Sequence, residues 1–73
     1  MIKRSVKISG HNTSVSLEDE FWVALKEISD IRSLSINKLI EEIERSRPPH
    51  YNLSSAIRVY ILNQLKTNER VSY

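Results

Sequence analysis

Two spacings of apolar residues meet at Leu17: alternation before it and helical recurrence after it. From Lys3 to Ile8 the chain places Lys3, Ser5 and Lys7 on one side and Arg4, Val6 and Ile8 on the other, the pattern of a half-buried strand. Thr13 to Leu17 alternates again, with Val15 and Leu17 on one side and Ser14 and Ser16 on the other. Two arrangements fit the first segment. In one, Gly10-His11 is a two-residue loop of type II′, so that Ile8 pairs with Thr13, Val6 with Val15 and Arg4 with Leu17. In the other, residues 3–8 are a flexible basic arm and only residues 12–17 form a strand.

Past Leu17 the period becomes helical. Glu18, Asp19 and Glu20 suit the positive end of a helix, and Phe21, Ala24, Leu25 and Ile28 then recur at amphipathic spacing, with Trp22 widening the stripe. This predicts a helix over 18–32. Ser35 is a good N-cap for a second helix over 35–46, whose apolar face is Ile36, Leu39, Ile40 and Ile43 and which Pro48 ends. The segment RPPHYN connects to a third helix over 53–66, carrying Leu53, Ala56, Ile57 and Tyr60, with Val59, Ile61, Leu62 and Leu65 outside a single stripe. Such breadth predicts packing on more than one side. The last seven residues, TNERVSY, read as frayed.

Seventy-three residues make one small domain, spanning 1–73, whose core supplies only roughly 3 to 5 kcal/mol. With no cysteine there is neither disulfide nor thiolate site, and two histidines alone do not make a zinc site. His11 reads as a turn residue and His50 as a loop residue, and neither a metal nor another cofactor is expected. A strand and two short helices cannot cover their own apolar faces, so the remaining staple is a partner chain. No apolar run approaches a bilayer span and the start lacks a signal-peptide core, which makes a cytoplasmic location the expectation.

Charge is distributed unevenly. Residues 1–17 carry +3 without any acid, residues 18–46 carry −4, and residues 47–73 carry +3. The acid-free basic start suits a polyanion. Glu41, Glu42 and Glu44 read as solvated pairs with Lys38 and Arg45, and Trp22 and Tyr60 as packing residues rather than base-stacking platforms. No phosphate-cradling glycine loop and no nucleophile with a partner base is evident, so the sequence does not read as an enzyme.

The stretch TSVSLEDEFWVALKEISDIRSLSINKLI, residues 13–40, resembles the ribbon-helix-helix family of the Arc and Met repressors, and more closely its short plasmid-copy-number repressor branch. Around it, KRSVKISGHNTSVSLEDEFW and NLSSAIRVYIL resemble a bacterial subgroup of the same fold. The resemblance implies a mostly α fold with a short β ribbon, as an intertwined homodimer. The N-terminal strand and the third helix are additions to that core. It implies a transcriptional repressor whose two-stranded ribbon enters the major groove of double-stranded DNA, with further assembly of dimers there open. Transferred by position, Asn12, Ser14 and Ser16 read bases. Lys3, Arg4, Lys7, Ser35, Asn37 and Lys38 contact phosphate. Val15, Leu17, Phe21, Trp22, Leu25, Ile28, Ile36, Leu39, Ile40, Ile43, Ile57, Tyr60 and Ile61 form the dimer core.

Three features depart from the family pattern. Ser14 and Ser16 are short readers. Ser33 occupies an inter-helix turn that usually holds glycine, where a left-handed backbone costs roughly 1 kcal/mol. A hairpin at the N-terminus would widen a dimeric ribbon to four strands, more than a groove about 12 Å wide admits. The competing expectation is a protein-interaction module of this fold, such as an antitoxin or adaptor bound to a small protein, with little sequence-specific DNA binding.

Overall fold

The computed structural model describes residues 1–71. Its elements in chain order are β1 (Ile2–Ile8), β2 (His11–Leu17), α1 (Asp19–Ile31), α2 (Ile36–Ser46) and α3 (Leu53–Val71). The two strands form an antiparallel hairpin, so residues 3–8 are a strand and not an arm. The register differs from the expected one by two residues. Ile2 pairs with Leu17, Arg4 with Val15, Val6 with Thr13 and Ile8 with His11. The loop is therefore Ser9-Gly10, with φ of +51° and +83°, and His11 belongs to β2.

Positive φ at both loop residues is the mark of a type I′ turn, whose twist matches that of the strands, whereas type II′ needs it only at the first. This turn lets all of β1 pair with all of β2. A slip of two keeps every side chain on its face, because the pleat repeats every two residues. Hence Val6 and Val15 are buried together, as the alternation required.

The hairpin's apolar face lies on the helices, with α2 against β1, α3 against β2, and α1 touching both other helices. Val15, Leu17, Leu25, Leu39, Ile40 and Ile57 are fully buried, joined by Val6, Trp22, Ile43, Ala56 and Ile61. Phe21, Ile28, Ile36 and Tyr60 pack partly buried against them. The residues expected to form a dimer core thus lie within the core of the single chain or on its margin. The core, however, closes within one chain, since β1 supplies Val6 and α3 supplies Ala56, Ile57 and Ile61. Val23 and Ile31 of α1, and Val59, Leu62 and Leu65 of α3, stay exposed outside that core.

Helix ends follow local chemistry. Glu18 caps α1 with its carbonyl, which accepts from Phe21 and Trp22, while its side chain makes no capping bond. The buried face of α1 runs through Trp22, Leu25 and Ser29, rotated from the expected stripe so that Phe21, Ala24 and Ile28 flank it. Ser29 fits that apolar face because its hydroxyl donates to the Lys26 carbonyl at 2.8 Å. At the far end Ser33 takes φ of +57°, Leu34 N–H donates to the Ser29 carbonyl and Ser33 N–H to that of Asp30. This pair of bonds is a Schellman motif, normally completed by glycine at the Ser33 position.

Ser35 caps α2, accepting from Lys38 N–H at 3.1 Å. Asn52 caps α3, accepting from Ser55 N–H at 2.8 Å. α3 continues to Val71, past the expected end at Lys66, so Thr67 to Val71 are helical where fraying was expected. Residues 72–73 of that expected frayed end lie outside the described residues.

Candidate nucleic-acid interface

The hairpin register determines which polar side chains share a surface. Lys3 stands opposite Ser16, Ser5 opposite Ser14, and Lys7 opposite Asn12. All project from the face opposite the buried Val6, Val15 and Leu17. That face is a two-stranded ribbon carrying two lysines, an asparagine and three serines, and no acid. Ser5 was assigned no role from sequence, although the same alternation places it between the two lysines.

Arg4 does not join that face. Its guanidinium lies 5.2 Å from the centroid of Trp22, on the helix side of the sheet, because its position has the parity of Val6. Trp22 in turn donates its indole N–H to the Ile2 carbonyl at 3.3 Å. The first strand's three charges therefore split, two toward the ribbon face and one toward α1.

The two edges of the hairpin are unlike. Ile8 and His11 close the turn as a hydrogen-bonded pair, so along β1 the N–H and C=O groups of Lys3, Ser5 and Lys7 point away from β2. At Lys7 these are taken by Asn37. The Lys7 N–H donates to Asn37 Oδ1 at 3.0 Å, and Asn37 Nδ2 donates to the Lys7 carbonyl at 2.6 Å. Further on, Ser9 N–H donates to Glu41 Oε2 at 3.2 Å. The start of α2 is thereby tied to the hairpin beside Lys7. Asn37 is thus a bridge between sheet and helix, with its amide engaged on the backbone. No sequence signal marks this, since the partners are 30 residues apart.

The first-turn N–H groups of α2, at Ile36 and Asn37, have no acceptor within the helix. Ser35 and the exposed Lys38 stand beside them, with the Lys38 ammonium 3.8 Å from Glu41. Asn37 thus ties the start of α2, which carries Ser35 and Lys38, to the backbone at Lys7, and Glu41 stands between Lys38 and the Ser9 N–H.

The glutamates of α2 do more than decorate a wet face. Glu42 accepts from Arg32 at 2.6 Å, and Arg32 also donates to the Tyr60 hydroxyl at 3.1 Å, which links α1, α2 and α3. Glu44 holds Arg47 at 2.7 Å. At the opposite end Arg58 of α3 meets Glu18 at 2.9 Å and lies over Phe21. The Glu18 carboxyl is held below its ordinary range, first by its own backbone N–H and then by Arg58. His50 packs edge-on against Tyr51 in the connection before α3.

The ribbon-helix-helix domain matches residues 1–65, from the first strand into α3. The chain belongs to the ribbon-helix-helix domain family. The match takes in β1 as well as the β2–α1–α2 unit, so the hairpin is part of this family domain. Ribbon-helix-helix domains are in general DNA-binding regulators that pair as dimers. No curated protein and no solved structure is similar enough to this ribbon-helix-helix chain to match it. Among the described residues no helix is long and apolar enough to cross a membrane.

Proposed function

We propose that the chain is a homodimeric, non-catalytic transcriptional repressor of the bacterial cytoplasm, folded as one domain over 1–73, that reads double-stranded DNA with the polar face of its β1–β2 hairpin. The observation that carries this reading is the acid-free face formed by Lys3, Ser5, Lys7, Asn12, Ser14 and Ser16. Asn12, Ser14 and Ser16 are the base readers, with Ser5 added to them. Serine and asparagine reach base edges only at short range, so affinity rests on Lys3 and Lys7 at the phosphates, with Ser35, Lys38 and the first-turn N–H groups of α2. Arg4, turned toward Trp22, and the Asn37 side chain, engaged on Lys7, act as supports and not as phosphate contacts.

Width favours the intrachain hairpin as the unit that enters the groove. Two strands lie about 4.8 Å apart, whereas joining two hairpins edge to edge would separate the outer strands by about 14 Å before side chains are counted. A major groove of about 12 Å admits the first and not the second. The dimer contact then lies elsewhere, and the exposed Val59, Leu62 and Leu65 of α3 offer apolar surface for it.

Fluorescence anisotropy with labelled genomic fragments, repeated over a range of salt, tests the reading. Each phosphate contact contributes about 0.9 to the slope of log affinity against log salt, so replacing both Lys3 and Lys7 by alanine flattens that slope by about 1.8 for each chain bound, or about 3.6 for a dimer. An unchanged slope rejects the hairpin face as the DNA contact. Sedimentation showing a monomer at micromolar concentration rejects the dimer.

A further inference from the structure

We propose that the outer edge of β1 at Lys3 and Ser5 is a docking site for an extended acidic peptide of a partner protein, which adds as a third strand beside the hairpin. The inference does not rest on DNA reading: the added strand bonds the outer side of the sheet, and only its acidic side chains reach Lys3 and Lys7 of the polar face.

Three observations carry it. The outward N–H and C=O groups of Lys3 and Ser5 continue the row begun at Lys7. At Lys7 that row already accepts an amide at both points, for Asn37 bonds it as a peptide unit of an added strand would. Finally, a groove of about 370 Å³ runs beside this edge, lined by Arg4, Ser5 and Val6 of β1, Trp22, Val23 and Lys26 of α1, and Ile36 and Asn37 of α2. No residue of β2 lines it, so it lies wholly on the outer side.

The chemistry of the walls selects the occupant. Trp22, the half-buried Ile36 and Val23, which is 60% exposed, form an apolar floor for every second side chain of an added strand. Side chains of the other parity lie on the polar face beside Lys3 and Lys7. Arg4 and Lys26 add two more cations, and no acid lines the groove. An extended segment alternating apolar and acidic residues satisfies the backbone edge, the floor and the charge together. This is recognition by strand addition, in which main-chain bonds give affinity and alternate side chains give specificity.

The test uses the full chain labelled with nitrogen-15 and two blocked heptapeptides, one alternating valine with aspartate and one alternating valine with lysine. Amide exchange is read residue by residue. The aspartate peptide slows exchange at Lys3 and Ser5 by about tenfold or more and shifts the Trp22 indole signal, while the lysine peptide does neither. Ser5→Pro removes an outward N–H, a change an edge strand tolerates, and abolishes the slowing at Lys3 while the Val6 amide stays protected. Should Ser5→Pro disrupt the hairpin, the Lys3→Glu, Lys7→Glu double variant decides, by losing the aspartate peptide and gaining the lysine one. Equal response to both peptides, slowing at Asn12, Ser14 and Ser16 instead, or slowing at Lys3 and Ser5 that grows with protein concentration without peptide would overturn the proposal.

Discussion

The β2–α1–α2 unit and its flanks, β1 and α3, contribute to the same core in different ways. The unit supplies Val15, Leu17, Trp22, Leu25, Leu39, Ile40 and Ile43, whose spacing is regular and whose faces follow from period alone. The flanks supply Val6, Ala56, Ile57 and Ile61, which cover what the unit leaves bare. The unit in isolation leaves apolar faces that only a second chain would cover. With both flanks in place the central core closes within one chain, and the apolar surface left for a partner is that of Val23 and Ile31 in α1 and Val59, Leu62 and Leu65 in α3.

The largest test of this comparison is to truncate one buried residue in each region. Ile57→Ala in α3 and Ile40→Ala in α2, both fully buried, are each expected to cost about 2 to 5 kcal/mol in urea unfolding. If the flanks were accessory, Ile57→Ala would cost far less than Ile40→Ala. Val6→Ala in β1 is expected to cost about 1.5 kcal/mol, from two lost methyl groups. A negligible effect would place β1 outside the cooperative unit.

Smaller changes probe how flank and unit are joined. Asn37→Ala removes both bonds to Lys7 and is expected to lower stability by about 1 to 2 kcal/mol, with faster amide exchange at Lys7 before any change at Val6. Ser33→Gly, inside the unit, is expected to raise stability by up to about 1 kcal/mol, because glycine adopts φ of +57° without strain. Glu18 joins the unit to α3 through Arg58, and its depressed carboxyl sets the sign of a pH effect. The contribution is present above the ordinary value of 4.5 and is lost as pH falls through the lower folded value. The melting temperature of the wild type should therefore exceed that of Glu18→Gln near neutrality, with the gap narrowing below pH 4.5.

Much of the candidate interface was legible because it depends on parity. Lys3, Lys7, Asn12, Ser14 and Ser16 share a face whichever of the two registers holds, since the registers differ by two residues. Arg4 shows the limit of reading by charge. Grouped with Lys3 and Lys7 as a basic start, it stands on the opposite side, a distinction that the same alternation already contained. Ser35 was recognisable as a cap from its type and place, whereas the role of Asn37 was not.

The amino-acid sequence by itself determined the elements, the faces of each strand and helix, the break at Ser33 and nearly all of the core, because periods of two and 3.6 residues are local properties of the chain. The tertiary structure alone decided the register at Ser9-Gly10, the closing of the core by β1 and α3, the ties from Asn37 to Lys7 and from Arg32 to Glu42 and Tyr60, and the open edge at Lys3 and Ser5. Those depend on groups far apart in the chain meeting at hydrogen-bond distance, and spacing along one segment carries no information about which distant group it will meet.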